Sequence, residues 1–312
     1  MKKIVTIGGG TGQYALLRGL KHREAELTAI VSMFDNGGST GRLRTDFGVS
    51  APGDLRNCLL ALSNRPGLES LVRVFEHRYR GTEGPLANHN VGNVLLLAFQ
   101  QVYGPIEGIQ QISKLLEVEG KVLPVSPDPT HIFGTTTTGR ELKGEVEVSY
   151  PKKDERIAKV WLDPEAHIYK EAAQELRQAD AVVICPGDLY GSIIPNFLVR
   201  GFNEALQQSR AKMIYVCNLV TKQGTADFKA SDFVREIERH CERRMDRIIM
   251  NTIEPSKRVV DKYRQEDSYF VQPDINDERA VKADLLVEHE SGDTTIVRHN
   301  PETVSRLIMS LV

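Results

Sequence analysis

Short apolar runs recur along the chain, each closed by glycine or polar residues and followed by a stretch with helical spacing. Ile4–Ile7 and Leu27–Phe34 read as strands near the start, and Ala181–Cys185, Met213–Cys217, Arg247–Asn251 and Tyr269–Gln272 continue the series. Helices are predicted over 165–178, 190–207, 229–241 and 256–265, between those strands. Strands alternating with helices give a mainly parallel sheet with helices on both faces, a Rossmann-like α/β fold. The region between the second strand and residue 120 reads as helical. Leu59, Leu60 and Leu62 mark one helix, Leu68–Tyr79 a second, and Val94–Phe99 a third that runs to about Tyr103 behind asparagine caps. Gly81-Thr82-Glu83-Gly84-Pro85 interrupts the series.

Period-two alternation sets one segment apart. Lys121–Ser126, Glu141–Tyr150 and Ile157–Asp163 predict a small β-rich insertion at about 120–163 within a single domain spanning 1–312. Near the end, Asp284–His289 and Thr294–His299 predict a strand pair around Ser291-Gly292. Asn300-Pro301-Glu302 is an N-cap with proline at the first helical position.

Composition narrows the function classes. With 312 residues, 40% hydrophobic and 26% charged, the chain can bury a large core, so disorder is not the expectation. A net charge of −2 offers no field for a nucleic-acid backbone, and any anion site must be local. No apolar run approaches the roughly 20 residues of a bilayer span, and Met1-Lys2-Lys3 leads straight into a strand, so a cytoplasmic protein without membrane insertion is expected. Cys58, Cys185, Cys217 and Cys241 show no C-x-x-C spacing and are read as reduced thiols.

The polar residues that could carry chemistry collect at predicted strand ends. After the first strand, Gly9, Gly10, Thr11 and Gly12 form a glycine turn at a helix start, where bare N–H groups suit a phosphate; Gly10, Gly12 and Ala15 fit G-x-G-x-x-A. After the second strand come Asp35, Asn36, Gly37, Ser39, Arg42 and Arg44, then Asp54 and Asn57. His89, Asn90 and Asn93 precede a helix. Gly187, Asp188, Tyr190, Ser192 and Asn196 repeat the strand, glycine turn and helix arrangement, and Asn218, Thr221 and Lys222 follow the next strand. Each loop alone is equally a tight turn or a cap; their shared position points to one nucleotide-like ligand. Asp35, Asp54 and Asp188 are the acid–base or metal candidates, although Asp54 also fits an N-cap and His89 a helix-start hydrogen bond. The absence of G-x-S-x-G, H-E-x-x-H and G-x-x-x-x-G-K-[ST] removes three hydrolase and NTPase classes.

Gly8–Gly12, Asp35–Arg44, Pro52–Cys58, Asn88–Asn93, Pro186–Asn196 and Cys217–Thr225 are spread in order over most of the chain. On these segments the chain resembles the gluconeogenesis-factor branch of the superfamily that also holds the phospholactate transferase of deazaflavin-coenzyme synthesis. The resemblance implies a Rossmann-like fold with added elements and a cytoplasmic bacterial protein that binds nucleotide sugars such as UDP-N-acetylglucosamine. It also implies a link to carbon metabolism, cell-envelope growth and cell shape rather than an established reaction. The run after Asp35 resembles the binding branch. Departures are Asn36 where a second Asp is frequent, Asp188 where Ser is frequent, and Lys222-Gln223 where Gln-Pro is frequent. The loss of a carboxylate at Asn36 argues against a strong Mg²⁺ site. Two alternatives stay open: a transferase acting on an activated nucleotide, with Asp35 holding Mg²⁺, and a protein that binds NAD through the first glycine turn and Asp35. The oligomeric state is also open, a homo-oligomer included.

Overall fold

The computed structural model describes residues 1–49, 51–64, 67–80, 83–84, 86–291 and 294–312. Gly81, Thr82 and Pro85 of the predicted interruption, and Gly292 of the predicted turn, lie outside the described residues. The chain opens with β1 (Lys2–Gly8), α1 (Gly10–Leu20) and β2 (Ala25–Val31), then runs through α2 (Gly38–Phe47), α3 (Pro52–Leu62), α4 (Leu68–Glu76), α5 (Val91–Tyr103) and α6 (Pro105–Leu115) to β3 (Lys121–Pro124). An antiparallel unit follows, built from β4 (His131–Thr136), β5 (Glu141–Lys143), α7 (Gly144–Ser149) and β6 (Ile157–Asp163). The parallel winding resumes with α8 (Lys170–Gln178), β7 (Ala181–Ile184), a single π-helical turn (Leu189–Ile193), α9 (Ile194–Phe197), α10 (Phe202–Gln207) and β8 (Lys212–Val216). It ends with α11 (Ala230–Cys241), β9 (Arg247–Asn251), α12 (Lys257–Gln265), β10 (Ala280–Ala283), the hairpin β11 (Leu286–Ser291) and β12 (Thr294–His299), and α13 (Pro301–Leu311).

Seven parallel strands form the central sheet in the order β3-β2-β1-β7-β8-β9-β10. The first strand sits in the middle, flanked by Leu27 on one side and Ala181 on the other at the level of Ile4. The winding therefore reverses between β1 and β7. At that reversal the loops leaving two neighbouring strands diverge and open a crevice at their carboxyl ends. Ile4, Val5, Ile7, Ala29, Ile30, Val182 and Ile184 are buried in the sheet, as strands covered on both faces require. One polar group is built into this core: the buried Gln13 amide donates to the Thr6 carbonyl and hydroxyl and to the Ile30 carbonyl. It ties α1 to the ends of β1 and β2.

Several sequence expectations are corrected. The alternating segment Glu141–Tyr150 splits into β5 and α7, because Gly144 turns into the left-handed region (φ +84°) and the Glu147 carboxylate accepts the Lys143 N–H at the new helix start. Lys121–Pro124 joins the central sheet beside β2, so the antiparallel sheet begins at His131. The helix expected over 190–207 breaks at Gly201 (φ +88°) and carries Pro195 in its first part. Tyr269–Gln272 forms no strand of the sheet and runs beside residues 219–221 through the Phe270–Val220 bridge; β10 is the edge strand instead, and its charged flank hid it from a hydrophobicity reading.

Candidate functional site

A cavity of about 470 Å³ opens where the winding reverses, over the carboxyl ends of β1, β7 and β8. Its first wall is the loop Gly9–Gly12 entering α1. Its second is Pro186–Ser192, and the two approach so closely that a Cβ on Gly12 would stand 1.8 Å from the Pro186 carbonyl oxygen. Asn218, beyond β8, holds the second wall: its amide donates to the Gly187 carbonyl (2.6 Å) and its Oδ1 accepts from the Tyr215 hydroxyl (3.1 Å). Asp188 caps the π turn by accepting the Gly191 N–H (2.7 Å), and its other oxygen lies 3.5 Å from Lys222 Nζ. Lys222 in turn sits 5.0 Å from the centre of the Tyr150 ring.

The structure divides the residues singled out in the sequence. Gly9, Gly10, Thr11, Gly12, Asp35, Asp54, Gly187, Asp188, Ser192, Asn218 and Lys222 all line this cavity. The rest are placed elsewhere and are engaged by the protein itself. Arg44 is buried and donates to the carbonyls of Phe34, Asp35 and Thr130, binding the end of β2 to the loop before β4. Ser39, His89, Asn90 and Asn93 form a buried polar staple between α2 and α5: Ser39 Oγ lies 3.1 Å from His89 Nδ1 and accepts the Asn90 N–H, while Asn90 caps α5 at Asn93. Burial, followed by the Arg42 charge, holds His89 below the usual histidine range. Arg56 links Asn57 and Asn93, and Arg42 donates to the Ala87 carbonyl. Tyr190 meets Glu236, Asn196 donates to the Ser192 and Ile193 carbonyls, and Thr221 accepts the Tyr269 N–H. Gly37 starts α2 and gives its N–H to Asp35. Asn36 accepts the Val146 N–H (2.9 Å), anchoring α7.

The profile of the 2-phospho-L-lactate transferase CofD family matches residues 4–289. A putative gluconeogenesis factor of Thermotoga maritima is 39% identical, with 98% of either chain covered. The gluconeogenesis factor of Bacillus subtilis is 36% identical over 99% of this chain and 98% of its own. A Bacillus halodurans crystal structure superposes with a TM-score of 0.90 at 36% identity, covering 99% of each chain. The chain belongs to the gluconeogenesis-factor family.

In this gluconeogenesis-factor family member the cavity has two unlike ends. Toward β2 it is acidic, with Asp35 and Asp54, and Glu145 and Asp188 continue the acidic lining to the loop after β7. Asp54 reaches beneath the glycine loop, accepts the Gly10 N–H, and is pushed up to about 7 by burial and then by Asp35. Glu145 is also raised, first by burial and then by Asp188 and Asp35. Burial works against the Lys222 ammonium, but Asp188 and Tyr150 more than offset it and raise its pKa. Among the described residues no group of three or more His, Cys, Asp or Glu side chains is gathered to hold a metal ion. Toward β8 the cavity is apolar, walled by Leu219, Val220, Tyr263 and Val297 with Arg298 and His299.

Sequence reasoning missed Glu145, Tyr263, Arg298 and His299. Glu145 was hidden in a segment read as a strand. The others come from α12 and β12, whose return to the sheet edge carries no local sequence signal. Among the described residues no helix is long and apolar enough to cross a membrane.

Proposed function

We propose that the cavity binds a nucleoside diphosphate sugar, a uridine diphosphate sugar first of all, and that the protein acts as a ligand-responsive regulator of carbon metabolism and envelope growth. The observation that carries this reading is the bipartite cavity at the winding reversal. The glycine turn that starts α1 presents a helix N-terminus to a diphosphate, with the Gly10 N–H given to Asp54, while the acidic part offers acceptors to sugar hydroxyls and the apolar end suits a planar base. Lys222 and Arg298 supply positive charge to the lining. Calorimetric titration tests it: UDP-N-acetylglucosamine should bind more tightly than N-acetylglucosamine or NAD. Equal or tighter binding of the free sugar would refute the nucleotide reading.

A second reading, a Mg²⁺-dependent transferase, is favoured by one observation. Asp35 and Asp54 face the same cavity, and after burial the Asp35 charge raises the cost of ionising Asp54, a charge imbalance that a divalent cation would relieve. Those two carboxylates would hold the ion, which would neutralise charge on a phosphoryl group in transfer. Mg²⁺-dependent product formation that is lost on Asp35→Asn would establish this reading; binding without turnover supports the regulator.

A further inference from the structure

His299 is the last residue of β12 and one of the least exposed groups lining the cavity, with 7% of its surface accessible. Its Nε2 lies 3.0 Å from the Cys217 backbone carbonyl at the end of β8. A carbonyl oxygen can only accept, so the hydrogen of this bond belongs to Nε2. Burial keeps the ring neutral and lowers its pKa to about 4; the carbonyl bond works in the opposite direction and the adjacent Arg298 charge adds to the lowering. A neutral imidazole with its proton on Nε2 has a bare lone pair on Nδ1. Among the described residues no group donates to that nitrogen.

The surroundings decide what it can meet. Leu219, Val220, Val297 and Tyr263 make this end of the cavity largely apolar, and the Tyr263 hydroxyl accepts the Val297 N–H at 3.1 Å. Asp35 and Asp54 stand across the sheet toward β2, so hydroxyl-rich groups are drawn the other way. A flat heterocycle that enters this end would meet the His299 acceptor among largely apolar walls, with Arg298 and the Tyr263 hydroxyl as the other polar groups.

We propose, resting on the nucleotide reading above, that His299 is a specificity-determining residue that accepts a ring N–H of the bound base through Nδ1. Bases with such a donor, the imide of uracil or the N1–H of guanine, fit. Cytosine and adenine present a ring nitrogen lone pair at the matching position, where two acceptors would face each other without a proton. The tautomer is set inside the protein and cannot adapt, because reversing it would break the Cys217 bond and leave a buried carbonyl unpaired.

The test uses the native protein and three nucleotides measured by calorimetry: UDP, CDP, and UDP methylated at N3. Blocking N3 removes the donor while keeping ring, ribose and diphosphate. UDP should bind, and both CDP and N3-methyl-UDP should bind at least about tenfold more weakly, the scale of a buried hydrogen bond left unmade. UDP that fails to bind overturns the nucleotide reading itself. UDP and N3-methyl-UDP of equal affinity overturn the role of His299 alone. A His299→Phe variant that stays folded should lose the preference for UDP over N3-methyl-UDP; a variant that keeps the preference also overturns it.

Discussion

Replacing Gly12 by Ala is the most direct perturbation of the crevice. Gly12 lies in the first turn of α1, and an added Cβ would stand 1.8 Å from the Pro186 carbonyl oxygen and 2.8 Å from its carbon. Ordinary contact begins near 3.4 Å, so the helix start and the loop after β7 must separate by about 1.6 Å. Both partners are backbone, and neither can rotate away. Overpacking of this kind costs about 1–3 kcal/mol. The better helix propensity of alanine returns less than about 1 kcal/mol at a helix end. A net loss of about 2 kcal/mol is expected in urea denaturation, together with weaker binding of UDP-N-acetylglucosamine in calorimetry, because the two separated segments are the cavity's facing walls. Gly48→Ala provides the control. Gly48 is left-handed (φ +65°) with open space around it and no part in the cavity, so it should lose about 1 kcal/mol from backbone strain and leave affinity unchanged. If Gly12→Ala matches the parent in both stability and affinity, the two loops do not abut and the crevice described above is wrong.

The raised acid Asp54 gives a pH signature. Its pKa lies at about 7 in the fold against an ordinary 3.8, so native stability falls as pH rises through that interval, by up to about 4 kcal/mol. Asp54→Asn should therefore be more stable than the parent near pH 8 and lose that advantage near pH 4, and a stability difference that is the same at both pH values would contradict it. Asn36→Ala removes the acceptor of the Val146 N–H and costs about 1 kcal/mol at α7. Hydrogen exchange over 144–149 should quicken and ligand affinity fall, since Glu145 loses its support; unchanged exchange would mean that α7 is held without Asn36.

The architecture was legible in the sequence where local pattern and tertiary role agree. The glycine turn after β1 and the polar turns after β7 and β8 mark strand ends, and the strand ends bound the cavity. Function was misplaced where a polar motif serves packing. Ser39, His89 and Asn93 have the residue types of a binding site, yet their partners are one another across α2 and α5. Arg44 looked like an anion ligand and spends its guanidinium on three backbone carbonyls. The Ser39–His89 and Arg44–Thr130 partners are tens of residues apart, and spacing along one chain cannot reveal them. The same distance hid Tyr263, which α12 brings to the cavity, and His299, which the hairpin's return brings there. In α7, the alternation that signals a strand was overruled by one left-handed glycine.

The far wall of the cavity is made by Val297, Arg298 and His299, and α13 then packs onto α1, with Pro301 passing so close to Gly19 that a Cβ there would meet its carbonyl oxygen at 2.1 Å. The glycine loop at residues 9–12 and its opposite wall are thus separated by almost the whole length of the chain. During synthesis the first loop leaves the ribosome long before β12 does, and it waits with its N–H groups facing solvent. The cavity is therefore completed late in the life of each new molecule. A nascent chain stalled before residue 294 would hold all seven parallel strands, with Leu219, Val220 and Tyr263, and still lack the wall made by Val297, Arg298 and His299.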